Sequence, residues 1–265
     1  MANQLILGRY LPGNSLVHRL DPRMKILAMI FMLAIIFFAN NWLTNVVLIA
    51  FTLAMVLATG ISLKVFIRGL KPMLFLIVLT VLLQVFFTTK GAVLFRLGPI
   101  VLTTGGLENA FFILIRFVLI IFISTVLTLT TSPLDITNAI ESLLAPIKNI
   151  FPVHEMALML SIALRFVPTL LDETDTIMDA QRARGVDFSE GNIMQRAKSF
   201  LPILIPLFIS AFDRAYDLST AMEARGYRGS EGRTKYRLLY WQNLDTVMLL
   251  GVVVVGALVV GLRQW

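Results

Sequence analysis

The segment LENAFFILIRFVLIIFISTVLTLT, at residues 107–130, decides the fold class of this chain. Its 24 residues carry only two charged side chains, Glu108 and Arg116, and are otherwise dominated by Leu, Ile, Val, Phe and Thr. About 20 predominantly apolar residues are enough for an α-helix to cross the hydrocarbon core of a bilayer. The segment therefore predicts a transmembrane helix.

The composition of the whole chain agrees with this prediction. Of its 265 residues, 57% are hydrophobic and 15% are charged, whereas a soluble domain has about 45–50% apolar and about 25% charged residues. These values exclude a soluble enzyme, a disordered chain and a free nucleic-acid-binding module. The lack of cysteine excludes disulfides, thiolate zinc sites and cysteine nucleophiles. We expect neither a metal site nor a cofactor.

Four more segments have the composition of membrane spans, each close to the minimum length. They lie at Met24–Ala39, Leu43–Thr59, Pro72–Phe87 and Thr246–Leu262. The sequence thus predicts an all-α, polytopic membrane protein with about five transmembrane helices.

The distribution of Lys and Arg predicts the orientation of these spans. If the N-terminus is cytoplasmic, 19 of the 23 basic residues fall on the cytoplasmic side and three fall outside, as the positive-inside rule requires. Without the long stretch 131–243, the count is still seven to three. We therefore expect a cytoplasmic N-terminus and an external C-terminus. The net charge of +7 then reflects cytoplasmic segments and not nucleic-acid binding.

The stretch 131–243 is too polar to lie in lipid and too apolar for an ordinary loop. Apolar residues at helical spacing after Ser132 predict an amphipathic helix that ends near Ala145. Two long helices follow, at about Val153–Arg184 and Ile193–Arg225, and each changes from apolar to charged along its length. We therefore expect an N-terminal arm and four spans in residues 1–130, a cytoplasmic helical domain in 131–243 and a last span in 244–265.

The two long helices end in the same motif. Ala180-Gln181-Arg182-Ala183-Arg184-Gly185 is followed by Ser189-Glu190-Gly191, and 41 residues later Ala221-Met222-Glu223-Ala224-Arg225-Gly226 is followed by Ser230-Glu231-Gly232. Ala-Arg-Gly is a favourable helix end, because alanine favours helix, arginine complements the helix dipole and glycine takes the left-handed cap. One copy indicates only a capped helix. The doubled frame indicates a partner with two matching grooves, such as a dimer of ATPases.

Three features together resemble the T component of energy-coupling-factor (ECF) transporters. They are the paired Ala-Arg-Gly motifs, the amphipathic helix before them, and the N-terminal sequences Tyr10-Leu11-Pro12-Gly13-Asn14-Ser15 and Leu20-Asp21-Pro22-Arg23-Met24-Lys25. The resemblance covers essentially the whole chain. It implies a non-catalytic, multi-pass scaffold of the bacterial cell membrane, which joins two related ATP-binding subunits to a membrane-embedded S component that binds a vitamin or trace metal.

The resemblance also implies the residues of the site. In T components the Ala-Arg-Gly ends of the coupling helices bind the two ATPases, and that role falls here to Ala183, Arg184, Gly185, Ala224, Arg225 and Gly226. Residues 131–243 would then be the coupling domain. A free-standing chain of this length resembles T components that serve several exchangeable S components, which choose the substrate. The chain has no phosphate-binding Gly-x4-Gly-Lys-Ser/Thr motif of its own.

The residues that flank the two motifs differ in charge order. Gln181-Arg182 precedes the first motif and Val186-Asp187 follows it, so a basic residue comes before an acidic one. Met222-Glu223 precedes the second motif and Tyr227-Arg228 follows it, so the order is reversed. Opposite charge patterns discriminate between similar partners. The flanks therefore predict a heterodimer of ATPases.

Two other classes of function stay open at this point, as does the role of Arg116. Inside a predicted span, Arg116 either pairs within the chain or contacts another subunit.

A self-sufficient secondary transporter would show repeated spans with charged or broken helices at mid-membrane, and a membrane-embedded enzyme would need convergent acids or a metal motif. The acids Asp172, Glu173, Asp175 and Asp179 lie around a helix that also carries Arg182, which favours an ion-paired face.

Overall fold

The computed structural model describes residues 10–88, 91–97, 100–147, 150–186, 188, 192, 194, 198–229 and 239–263. In chain order the helices of these residues are α1 (Leu16–Arg19), α2 (Pro22–Phe38), α3 (Trp42–Ala58), α4 (Leu63–Leu70), α5 (Leu74–Phe87), α6 (Thr104–Thr130), α7 (Pro133–Leu144), α8 (Val153–Ala183), α9 (Leu201–Ala224) and α10 (Asn243–Leu262). Short 3₁₀ turns follow α4 at Lys71–Met73 and α7 at Ala145–Ile147.

A β-hairpin lies between α5 and α6, and the sequence analysis does not predict it. Its antiparallel strands are β1 (Val93–Leu97) and β2 (Ile100–Thr103), with Leu97 opposite Ile100. The hairpin leads directly into α6, where the Thr103 hydroxyl accepts a hydrogen bond from Gly106 N–H at 3.1 Å and caps the helix. The predicted helical architecture is confirmed, with this short hairpin as an addition.

All five predicted spans are helical in the structure, in α2, α3, α5, α6 and α10. Within the described residues, four helical segments are long and apolar enough to cross a membrane, and Trp42–Ala58 is apolar but shorter, with 17 residues. The four are Leu63–Phe87, Thr104–Thr130, Val153–Ala183 and Asn243–Leu262. The predicted class of polytopic α-helical membrane protein is thereby confirmed.

Two of these segments differ from the prediction. The third begins at Leu63 and not at Pro72, because Pro72 occupies the first turn of the 3₁₀ segment, where its missing N–H interrupts no helical hydrogen bond. The basic residues predicted for a loop there, Lys64, Arg68 and Lys71, therefore lie on α4 and its 3₁₀ extension. The helix Val153–Ala183 has the length and hydropathy of a span, although the charges in its second half predict a cytoplasmic helix.

The first compact unit comprises Met1–Ala139 and Leu238–Trp265. Its central helix is α6, which contacts α2, α3, α4 and α5, while α10 packs against α2 and α3. The largest fully buried apolar side chains of the unit are Val17, Ile36, Leu48, Val56, Phe66 and Val259. By contrast, α5 is exposed along much of its length, as expected of a helix that faces lipid or another membrane protein.

Helices α10 and α2 approach each other closely at Gly256. A Cβ atom at this position would lie 2.7 Å from Ile35 Cδ1 and 2.9 Å from Phe31 Cε1, whereas Gly251 and Gly261 face open space. A small residue is what allows two membrane helices to pack this closely. Gly256 therefore fixes the contact between α10 and α2.

We predict that Gly256→Val destabilises the first unit by about 1–3 kcal/mol, because the added side chain overlaps Ile35 and Phe31. The measurement is the temperature at which the detergent-solubilised protein loses half of its monodisperse fraction. Gly251→Val is the matched control, since it makes the same change on the same helix toward open space. Equal losses in the two variants would contradict this packing.

The second compact unit comprises Ile140–Arg237. Within it α8 and α9 pack against each other, and an ion pair joins them, with Arg214 Nη2 at 2.7 Å from Glu173 Oε2. Pro202 stands in the first turn of α9, which begins at Leu201 and not near Ile193. Residues 193 and 195–197 lie outside the described residues. That residues 131–243 form one cytoplasmic domain stays a prediction.

Candidate functional site

Both Ala-Arg-Gly motifs form the same kind of helix end. The backbone angles of Arg184, φ −86° and ψ 3°, nearly equal those of Arg225, φ −86° and ψ 5°. The next residue is in each case a glycine in the left-handed region, Gly185 at φ +88° and Gly226 at φ +72°. Glycine adopts these angles without the steric cost that a side chain brings. The repeat in sequence is thus also a repeat in backbone conformation.

The hydrogen bonds of the two helix ends match as well, and they form Schellman motifs. In each, the glycine N–H donates to the carbonyl three residues earlier, and the following N–H donates to the carbonyl five residues earlier. The distances are 2.9 Å for Gly185 to Arg182, 3.1 Å for Val186 to Gln181, 2.8 Å for Gly226 to Glu223 and 3.0 Å for Tyr227 to Met222. These bonds satisfy the last carbonyl groups, so each arginine extends from a fixed backbone. The Ser-Glu-Gly sequences at 189–191 and 230–232 lie outside the described residues.

The arginine side chains of the two motifs are exposed and unpaired. Among the residues that the structure describes, neither Arg184 nor Arg225 has a side-chain hydrogen bond or an ion-pair partner. A Cβ atom built at Gly185 or Gly226 would have nothing within 4 Å. A guanidinium has five N–H donors in a planar fork that suits carboxylates. Within the part of the chain that the structure describes, each helix end therefore offers a partner a cation whose donors are free.

Two other arginines of the second unit, Arg182 and Arg214, are engaged within the chain. Arg182 donates to Asp179 Oδ1 at 2.8 Å, and its guanidinium carbon lies 5.9 Å from the centre of the Phe188 ring. Arg214 pairs with Glu173 on the adjacent helix. Two of the four acids predicted to lie on an ion-paired face are thus ion-paired. This contrast separates Arg184 and Arg225 from the arginines that hold the second unit together.

An apolar groove between α8 and α9 lies beside the second motif, and the sequence analysis does not predict it. Its volume is about 510 Å³. One wall is a stripe of α8 at a spacing of four residues, Ile162, Phe166 and Leu170, and the other includes Ala211, Ala215 and Leu218 of α9. Glu223 and Tyr227, on either side of Arg225, also line it. These two stripes, with spacings of three or four residues, are the sequence signal that could have indicated the groove.

Arg116 has partners inside the first unit. Its Nη2 donates to the carbonyl of Ala39 at 3.3 Å, and its guanidinium carbon lies 5.4 Å from the centre of the Phe37 ring. Ala39 follows the last residue of α2, and a cation is favourable near the C-terminal end of a helix. Arg116 thus caps α2. A contact with another subunit stays a prediction.

Neither histidine lies in a metal-binding cluster. His18 has one ring nitrogen 2.6 Å from the Ser15 hydroxyl and the other 3.0 Å from the Leu11 carbonyl. His154 Nδ1 lies 3.0 Å from Glu141 Oε1. The described residues contain no group of three or more His, Asp or Glu side chains arranged to hold a metal ion.

The fold and the site together define a class: a polytopic, α-helical membrane protein with two matched arginine-bearing helix ends. Residues 13–236 match the model of the family described as CbiQ, cobalt transport protein. The chain is similar to the energy-coupling factor transporter transmembrane protein EcfT of Streptococcus equi, with 58% identity over 96% of this chain and 95% of the relative. It is also similar to EcfT of Listeria innocua, with 54% identity over 100% of both chains, and of Bacillus subtilis, with 48% identity over 99% and 100%.

Matches of this extent decide the family. The chain belongs to the family of energy-coupling factor transporter transmembrane proteins, as the N-terminal sequences and the two motifs predict. It is thus a transmembrane component of a transporter.

Proposed function

We propose that the chain is the membrane scaffold of an ECF transporter and couples ATP hydrolysis by two related cytoplasmic ATPases to the uptake of a vitamin or micronutrient by an S component. The observation that carries this proposal is the matched pair of helix ends with exposed, unpaired Arg184 and Arg225. Two matching binding elements on one chain fit two similar partners. The relatives support the proposal, because they are named as transmembrane proteins of energy-coupling factor transporters.

Each motif would act through charge and shape. The arginine would form charge-assisted hydrogen bonds with acceptors in a groove of one ATPase. The exposed Ala183 and Ala224 are small enough for a groove wall to approach, and Gly185 and Gly226 end the helix there. The ion pair between Glu173 and Arg214 joins α8 to α9. A movement of the two ATPases would therefore act on a linked pair of helices.

We predict that Arg184→Ala combined with Arg225→Ala weakens binding of the ATPases and leaves the chain folded. Exposed substitutions usually change stability by no more than about 0.5 kcal/mol. The amount of ATPase that co-purifies with the tagged chain should fall at least about tenfold, since a hydrogen bond to a charged group contributes about 1.5–3 kcal/mol. Uptake of a panel of tritiated vitamins (riboflavin, thiamine, biotin and folate) by reconstituted proteoliposomes should fall with it.

Arg165→Ala is the matched control for these variants. It removes an exposed arginine of α8 that lies outside both motifs and their flanks. We expect it to retain ATPase binding and uptake. Normal ATPase binding and normal uptake in the double variant would overturn the proposed function.

We further propose that the two ATPases form a heterodimer in which each subunit prefers one motif. The structure gives the second motif two neighbours that differ from those of the first. Glu223 is exposed and Tyr227 half-buried beside the apolar groove, whereas Arg182 at the first motif is bound to Asp179. Partners with similar grooves could use these differences in charge and apolar surface to choose between the motifs.

Exchanging residues 181–187 with residues 222–228 tests this preference, because both Ala-Arg-Gly motifs remain while their flanks are swapped. We expect the swapped chain to co-purify less ATPase and to transport less vitamin than the original. Full assembly and transport by the swapped chain would show that the two ATPases do not distinguish the motifs.

We propose that the chain lies in the bacterial cell membrane with a cytoplasmic N-terminus, beside one or several exchangeable S components. The distribution of basic residues supports this orientation. In this orientation the turn between α2 and α3 is external, and α8 and α9 are cytoplasmic.

Cysteine labelling tests the orientation, since the chain has no native cysteine. Asn40→Cys, exposed in the turn between α2 and α3, should react with a membrane-impermeant maleimide in intact cells. Asp217→Cys, exposed on α9, should react only after permeabilisation. Labelling of both positions from the same side would refute the predicted topology.

A further inference from the structure

Four charged side chains from the two ends of the sequence meet in the first unit: Asp21, Arg23, Lys25 and Asp245. We refer to these four residues as the junction cluster. Asp21, Lys25 and Asp245 are buried, with exposed fractions of 5%, 7% and 1%. A buried charge is tolerated only where it is paired and hydrogen-bonded. The hydrogen bonds of the junction cluster therefore show which parts of the chain it holds in place.

Asp245 joins the N-terminal ends of two helices. Its Oδ2 accepts a hydrogen bond from Gln242 N–H at 2.7 Å and caps α10. Its Oδ1 accepts from Asp21 N–H at 2.8 Å, and Asp21 in turn caps α2 by accepting from Arg23 N–H at 2.8 Å. The starts of α2 and α10, more than 200 residues apart in sequence, are thus held together by one carboxylate.

Arg23 binds the segment through which the chain returns from the second unit. Its Nη2 lies 2.9 Å from Asp21 Oδ2 and donates to the carbonyl of Leu239 at 3.0 Å. The second unit ends at Arg237, so Leu239 lies just after it. The return segment is therefore bound to the start of α2.

Lys25 binds the segment through which the chain leaves the membrane helices. Its Nζ donates to the carbonyl of Thr130 at 3.0 Å and to the Thr131 hydroxyl at 3.3 Å. Thr130 ends α6, and α7 begins at Pro133. The outgoing and the returning segments are thus both bound to the sequence Asp21-Pro22-Arg23-Met24-Lys25.

We infer that Arg23 and Lys25 are positioning residues that fix both connections between the membrane helices and the second unit, so that force applied at the Ala-Arg-Gly motifs reaches the membrane helices. This inference rests on the proposed function. A chain without these contacts would still bind the ATPases through Arg184 and Arg225. The connecting segments would yield when the ATPases move, and hydrolysis would continue with less transport.

The experiment compares Arg23→Leu and Lys25→Met with the original chain in the complete complex, with both ATPases and the S component, reconstituted into proteoliposomes. Two quantities are measured. The first is phosphate release, and the second is accumulation of whichever tritiated vitamin from the panel above the original complex takes up. We expect ATPase binding and phosphate release to stay within about twofold, and vitamin accumulated per ATP to fall about tenfold, within the usual range of coupling between sites. Arg23→Lys, which keeps a cation beside Asp21, should recover part of the loss.

Lys64→Met is the matched control, because Lys64 is an exposed lysine of α4 outside the cluster. If the Lys25→Met chain does not fold and cannot be purified, Arg23 is the decisive position. The Arg23 side chain is 23% exposed, so its replacement disturbs the fold less than that of the buried Lys25. If assembly, hydrolysis and uptake all fall together in Arg23→Leu, the cluster is merely structural and the inference is overturned. Unchanged vitamin uptake per ATP in this variant would also overturn it. If the original complex itself hydrolyses ATP but accumulates none of the vitamins, the proposed function fails instead.

Discussion

The unpaired backbone groups at helix ends impose the strongest constraint on this protein, because an apolar surrounding offers them no water. Several buried or half-buried polar side chains of the first unit form hydrogen bonds with these backbone groups. Asp21 and Asp245 accept from N–H groups at the starts of α2 and α10. Lys25 donates to the last carbonyl of α6, and Arg116 donates to the carbonyl that follows α2. The bonds of Lys25 and Arg116 join residues far apart in sequence, so each of them caps one helix and also fixes its neighbour.

The second unit meets the same constraint in another way. At the ends of α8 and α9 a glycine in the left-handed conformation lets backbone N–H groups alone donate hydrogen bonds to the last carbonyl groups. No side chain is needed for the cap, which leaves Arg184 and Arg225 available to a partner. If an acid within the chain were to pair with either arginine, a partner would have to break that bond before binding. The glycine cap thus explains how a basic helix end can be fixed in position and still be free to bind.

The parts that the sequence predicts well are those that depend on local patterns. Five apolar segments became helices, and the two Ala-Arg-Gly motifs became matching helix ends, because hydropathy and capping are properties of neighbouring residues. The predicted third span, Pro72–Phe87, corresponds to α5, and the helical segment also extends back to Leu63, since Pro72 in a first turn does not stop a helix. The hairpin at Val93–Thr103 was missed, because its strands are short and lie between two spans. The junction cluster was invisible as well, because its key bond links Asp21 to Asp245.

Five arginines of the described residues fall into two groups that differ in their partners. Arg23, Arg116 and Arg214 bind carboxylates or carbonyl groups of other helices or segments, and each thereby connects two elements of the fold. Arg184 and Arg225 bind nothing within the described chain. In the function that we propose, Arg184 and Arg225 would bind the partners, and the bound arginines would keep the helices from yielding when the partners move. Arg214 lies between Arg184 and Arg225 in the sequence, so both kinds of arginine occur within the second unit. This arrangement fits the proposed scaffold, because the ion pair of Arg214 with Glu173 joins the two helices whose ends carry Arg184 and Arg225.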